Sequence, residues 1–155
     1  MICWKIVVRC VAASGAILLA SCGSQSDSGE FMTWDQANQE YQEAVASFPW
    51  ALPEGVDFPS SPFHASGNML YQRGWGAMQA YIFAECAYQR VVVDNEYTSM
   101  EAAMDALDKA ERIHGSPTYQ SHYSDPDGIW QGVIDKARLG DFSEFNAFFS
   151  TDCST

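Results

Sequence analysis

The sequence has few basic side chains. Its 155 residues contain only eight Lys and Arg against twenty Asp and Glu, and the formal net charge is −12. Proteins that bind nucleic acid attract the phosphate backbone with Lys and Arg, and basic clusters also attract anionic lipid headgroups. We therefore expect no nucleic-acid partner and no electrostatic attachment to a membrane.

The short signatures of familiar enzymes are also missing. The sequence contains no HExxH, GxxxxGK[ST], GxSxG or CxxC motif, and these mark zinc hydrolases, phosphate-loop enzymes, serine hydrolases and thiol redox proteins. On this basis we assign no catalytic residue and no cofactor.

No apolar run is long enough for a stable membrane span. A transmembrane helix needs about 20 consecutive apolar residues, and the mostly apolar run Val11–Ala20 is shorter. Lys5 and Arg9 precede this run, and the first 22 residues contain no acidic side chain. This layout is typical of an export signal.

The apolar run closes on Leu19-Ala20-Ser21-Cys22. This tetrapeptide resembles the lipobox of bacterial membrane lipoproteins, in which an aliphatic residue and two small residues precede an invariant cysteine. The resemblance implies that Cys22 receives a diacylglyceryl group and becomes the new amino terminus after cleavage. The Ala-rich, Lys-poor composition is similar to that of uncharacterised lipoproteins of high-GC Gram-positive bacteria.

The resemblance divides the chain into three parts. Residues 1–21 are predicted to be a lipoprotein signal peptide, residues 22–32 a flexible tether, and residues 33–155 a helical domain. Two or three acyl chains hold a domain on a bilayer essentially permanently. We therefore expect a lipid anchor in the cell membrane, with the domain on its extracytoplasmic face.

The predicted domain is all-α. Apolar residues recur at helical spacing along most of it, and we find no convincing pair of strands and no internal repeat. The pattern predicts a small bundle of four or five helices, of which the second, residues 68–93, is apolar on nearly all sides and therefore central. The predicted starts are the Thr33–Gln36 and Thr98–Glu101 capping boxes, Asn68, Asp125 before Pro126, and Asp141.

Residues 49–66 are predicted to be a packed loop. Proline lacks a backbone donor and restricts the residue before it, so this segment cannot form the interior of a helix. Large aromatic residues alternate with the prolines, which favours a strap lying over the helices. The prolines are Pro49, Pro53, Pro59 and Pro62, and the aromatic residues are Trp50, Phe58 and Phe63.

Two of the five cysteines are neither in the predicted signal peptide nor predicted to carry the lipid. Cys3 and Cys10 lie in the signal, and Cys86 and Cys153 lie in the domain. Exported domains form disulfides, so these two are predicted to pair and to tie the central helix to the carboxyl-terminal tail. The alternative is a buried free Cys86 and an unpaired Cys153.

Two polar features could carry chemistry. His114, His122, Asp125 and Asp127 lie on one predicted loop and are weak candidates for binding a divalent ion. However, their spacing matches no known site, Asp125 is predicted to cap a helix, and His114 suits the carboxyl end of another helix. We therefore assign no metal.

The second feature is Glu85, which interrupts the apolar central helix. It could serve as a general acid, or it could make an internal polar contact with Tyr81, Gln89 or another helix.

The leading hypothesis is a lipid-anchored domain that binds an envelope partner, a protein rather than a small molecule, without catalysis. The alternative is a small envelope enzyme or metal-binding protein that uses residues 114–127. A concave cleft with converging polar groups would favour the enzyme, whereas a flat apolar patch of several hundred Å² would favour a partner surface.

Overall fold

The computed structural model describes residues 31–62 and 69–153. Within these ranges the chain is mostly helical, so the predicted all-α class is correct. The elements are β1 (Phe31–Met32), α1 (Trp34–Ala46), β2 (Tyr71–Gln72), α2 (Trp75–Asn95), α3 (Met100–His114), α4 (Pro117–Gln120), α5 (Ile129–Arg138) and α6 (Ser143–Asp152). None of the helices in this part of the chain is both long and apolar enough to cross a membrane.

Helix α1 begins as predicted. The Thr33 side chain accepts a hydrogen bond from the Gln36 backbone N–H at 3.4 Å, and the Gln36 side chain accepts one from the Thr33 N–H at 2.9 Å. This reciprocal capping box satisfies two backbone donors that the first helical turn leaves without partners.

The proline-rich strap is non-helical over residues 49–62, as expected, and two tyrosines hold it. The Tyr41 hydroxyl donates to the Pro59 carbonyl at 2.8 Å, and the Tyr88 hydroxyl donates to the Ala51 carbonyl at 2.8 Å. Trp50, Phe58 and neighbouring apolar side chains pack against the main core. The strap therefore lies over the helices, while Phe63 lies outside the described residues.

The expectation of no strand pair is wrong. β1 and β2 pair antiparallel, with Phe31 opposite Gln72 and Met32 opposite Tyr71. β1 occupies the last two residues of the predicted tether, because Met32 is buried against Ala37 and Tyr71. A ladder of two residues carries too little alternation to be recognised in a sequence.

The central helix starts at Trp75 and not at residue 68, which itself lies outside the described ranges. Gly74 has a φ of +86°, a left-handed conformation that ends the extended segment of β2 and cannot continue a helix. Three other predicted starts shift as well. The cap of α3 is Ser99 and not Thr98, α5 starts at Ile129 and not at Pro126, and the cap position of α6 is Phe142 and not Asp141.

The core surrounds α2, which contacts α1 on one side and α3, α4 and α6 on the other. α1 and α2 approach each other closely at Gly76, where an added Cβ would lie 1.9 Å from the Ala37 carbonyl oxygen. On the opposite side, aliphatic and aromatic residues of α3, α5 and α6 form the main core. Its fully buried large members include Leu107, Ile113, Ile134 and Phe145.

Candidate functional site

A carboxylate lies inside the helical core. Glu85, in the middle of α2, is only 2% exposed. Its Oε1 lies 3.1 Å from His114 Nδ1 and 3.2 Å from Gln89 Nε2. A buried charge is tolerated when hydrogen-bond donors surround it. Of the two sequence-based interpretations of Glu85, the structure thus finds the internal contact, with Gln89 and with α3.

His114 is fixed in place by aromatic rings. It ends α3, is 6% exposed, and stacks on Trp130 with ring centroids 4.9 Å apart. Tyr119 and Tyr123 flank the same imidazole at 4.5 and 4.7 Å. Because these rings leave little freedom to the imidazole, Nδ1 stays directed at the Glu85 carboxylate.

A cavity of about 450 Å³ opens beside this carboxylate. α2 lines one wall with Glu85 and Gln89, and the α4 region lines another with Tyr119 and Tyr123. The end of α6, including Asp152, closes the third wall. Its volume is within the range of small-molecule sites. We call it the Glu85 cavity.

The two tyrosines of the cavity keep their protons. Burial, followed by the negative charge of Glu85 and a hydrogen bond to its side chain, raises the pKa of Tyr119 far above its ordinary value. Burial also raises the pKa of Tyr123, helped by the charges of Asp125, Glu85 and Asp152. Both phenols are therefore neutral donors at physiological pH, and both lie in a negative field.

The predicted cysteine pair forms part of the cavity wall. Cys86 and Cys153 have Cα atoms 5.4 Å apart and sulfur atoms at disulfide distance, in agreement with the predicted pairing. Cys86 follows Glu85 on α2, and Cys153 follows Asp152 at the end of α6. A second cavity of about 250 Å³ lies across the same pair, beside Arg90. The cysteine pair thus joins α2 to the end of α6, which form two of the three walls of the Glu85 cavity.

The structure separates the four candidates of the 114–127 loop. His114 points at Glu85, whereas His122 Nε2 lies 2.9 Å from the Arg73 carbonyl oxygen on another face. The Asp125 carboxylate accepts hydrogen bonds from the backbone N–H groups of Ile129 and Trp130. It thus caps the first turn of α5 from outside the helix, because the N-cap residue is Gly128 and not Asp125 as predicted. Asp127 is exposed.

The other predicted site residue, Cys22, lies outside the described residues. Across residues 31–62 and 69–153, no group of three or more His, Cys, Asp or Glu side chains is placed to hold a metal ion.

Three lining residues carried no signal in the sequence. Tyr119 and Tyr123 look like loop aromatics, and Asp152 looks like an exposed tail residue. Only the meeting of α2, α4 and α6 brings them together. The predicted pairing of Cys86 with Cys153 could have indicated one of them, because the pair would bring the neighbouring residues Glu85 and Asp152 close together.

No protein-family model, curated protein or solved structure matches this chain.

Proposed function

We propose that the chain is a membrane lipoprotein, anchored through Cys22 at the extracytoplasmic face, whose helical domain binds a small envelope ligand without turnover. The Glu85 cavity is the observation that carries the binding role. The protein partner expected from the sequence would need a flat apolar face, whereas this cavity is concave and polar groups converge on it.

One observation supports the location, and the proposed anchor has one geometric consequence. The Cys86–Cys153 pair at disulfide distance suits an oxidising compartment outside the cytoplasm. A tether from Cys22 to Glu30 spans about 30 Å at most, so the β1–β2 end of the domain would stay close to the bilayer. That end exposes the apolar side chains of Phe31 and Leu70.

A concave cleft also suits an enzyme, but the groups around the Glu85 cavity favour binding. His114, the nearest candidate base, does not line the cavity and is directed at Glu85. The raised pKa values of Tyr119 and Tyr123 keep both phenols protonated. Gln89 and Tyr119 hold the buried Glu85 carboxylate through hydrogen bonds, an arrangement that suits a group that orients a ligand.

The anchor is tested by expressing the full chain in a bacterial host and measuring its intact mass after detergent extraction. We expect a chain that begins at Cys22 and carries a diacylglyceryl group. Cys22→Ala should retain Met1 and lose the lipid mass, and Ser24→Ala is the matched control that should leave both unchanged. An unmodified Cys22 in the wild-type protein would contradict the proposal.

A further inference from the structure

The described lining of the Glu85 cavity contains two carboxylates and no Lys or Arg. The carboxylates are those of Glu85 and Asp152. Gln89 and Tyr119 donate hydrogen bonds to Glu85 as neutral groups. His114 approaches the carboxylate without lining the cavity. The charged groups of this lining therefore favour a cation over an anion.

Aromatic rings supply the rest of the wall. Tyr119, Tyr123 and Phe148 line the cavity, and the faces of such rings attract cations, most strongly where water is excluded. Across the cysteine pair the protein already makes this contact with its own side chains, because the Arg90 guanidinium lies 4.4 Å from the centre of the Phe149 ring.

We propose that the Glu85 cavity binds a small organic cation, an ammonium ion that carries apolar groups. The carboxylates of Glu85 and Asp152 balance its charge, and the aromatic rings contact its apolar part. This inference rests on the proposed function, since it names the ligand class of the same cavity. A divalent metal ion fits less well, because no group of three or more His, Cys, Asp or Glu side chains in the described part of the chain is placed to hold one.

The two carboxylates contribute unequally. Glu85 is buried, so its charge is weakly screened. Asp152 is exposed, so solvent screens its charge. Glu85 therefore carries most of the selectivity for a cation.

The experiment compares a cation with a neutral molecule of the same shape. The full chain, purified in a maltoside detergent, is titrated by calorimetry with phenethylammonium and with 2-phenylethanol. We expect the cation to bind at least about tenfold more tightly. Glu85→Gln should remove this preference, and Asp152→Asn should reduce it about threefold. Asp135→Asn removes the same charge from an exposed position on α5 and should change nothing.

Two further variants separate failure of this inference from failure of the binding role. Thr151→Trp fills the cavity mouth and should abolish binding of both probes. If both probes bind equally and Thr151→Trp abolishes both, the cavity is a ligand site but the cation inference is overturned. If neither probe binds, both are overturned. Should Glu85→Gln fail to fold by circular dichroism, Asp152→Asn decides, and an unchanged preference in that variant overturns the inference.

Discussion

The two sides of α2 differ in how closely they are packed. Towards α1, Gly76 lets the helix approach so closely that an added Cβ would lie 1.9 Å from the Ala37 carbonyl oxygen. Towards α3, the same helix buries the Glu85 carboxylate against His114 and leaves a cavity of about 450 Å³ beside it. At Gly76 the packing leaves no room even for a methyl group, whereas an imperfectly filled polar interior is where a ligand can bind.

The contrast also concerns how each side is held. The α1 side is held by packing and by the strap, which Tyr41 binds through Pro59. The α6 wall of the cavity is joined to α2 by the Cys86–Cys153 pair. We therefore expect loss of the cysteine pair to destabilise the cavity side, and substitutions at the helix contact or the strap to destabilise the α1 side.

The largest effect is expected on the cavity side. The double variant Cys86→Ala/Cys153→Ala should lose roughly 4 kcal/mol of unfolding free energy, because the cross-link closes a loop of 67 residues in the unfolded chain. Urea unfolding measures this loss, and reduction of the wild-type protein should reproduce it. Equal midpoints for the oxidised, reduced and double-variant proteins would show that the pair does not stabilise the fold.

Next in size is the α1 side. Gly76→Val should destabilise the protein by about 3 kcal/mol, because its Cβ would meet backbone atoms of α1 that cannot move independently. Gly132 is the matched control, since a Cβ there meets nothing within 4 Å. Gly132→Ala should stabilise α5 by about 0.5–1 kcal/mol. A tolerated Gly76→Val would contradict the close approach of α1 and α2.

The strap contact should respond to alkaline pH. Burial raises the pKa of Tyr41 from 10.0 to about 12, so the folded state retains a proton that the unfolded state loses. The resulting stability is complete below pH 10 and is lost as the pH rises towards 12. Between pH 9 and pH 11.5 this loss is about 2 kcal/mol.

Tyr41→Phe isolates this contribution. Phenylalanine cannot ionise, so the variant should lose about 2 kcal/mol less than wild type over the same pH range. Urea midpoints measured at both pH values give the difference. Parallel losses in the two proteins would mean that Tyr41 does not couple ionisation to folding.

The smallest effect concerns the cap of α5. Asp125→Ala removes the acceptor of the Ile129 and Trp130 N–H groups and should cost about 1 kcal/mol. Asp127→Ala alters a neighbouring exposed acid and should stay within about 0.5 kcal/mol of wild type. Thermal unfolding of the two variants tests the difference, and equal melting temperatures would contradict the capping role.

Much of the fold is local and was therefore accessible from the sequence. The Thr33 capping box, the prolines of the strap and the apolar character of α2 each act through neighbours in the chain. Asp125 could likewise be predicted as a cap, although Gly128 delays the first turn of α5 beyond Pro126. The cysteine pair was predicted because the lipoprotein resemblance assigns the other three of the five cysteines to the signal and the lipid.

The Glu85 cavity could not be predicted, because its parts lie far apart in the chain. Glu85 and His114 each stood out in the sequence, but as separate features with separate interpretations. Their contact depends on how α3 packs across α2, and the aromatic wall depends on the short helix α4, which had no periodic signal.

The sequence by itself determined the helical class, the strap and the choice of cysteines, since these depend on backbone restrictions, on short-range hydrogen bonds and on composition. Only the tertiary structure decided that Glu85, Tyr119 and Asp152 share one cavity and that the four polar residues of the 114–127 loop do not share one. Side chains distant in sequence meet only where helices cross, and those crossings are set by packing across the whole core.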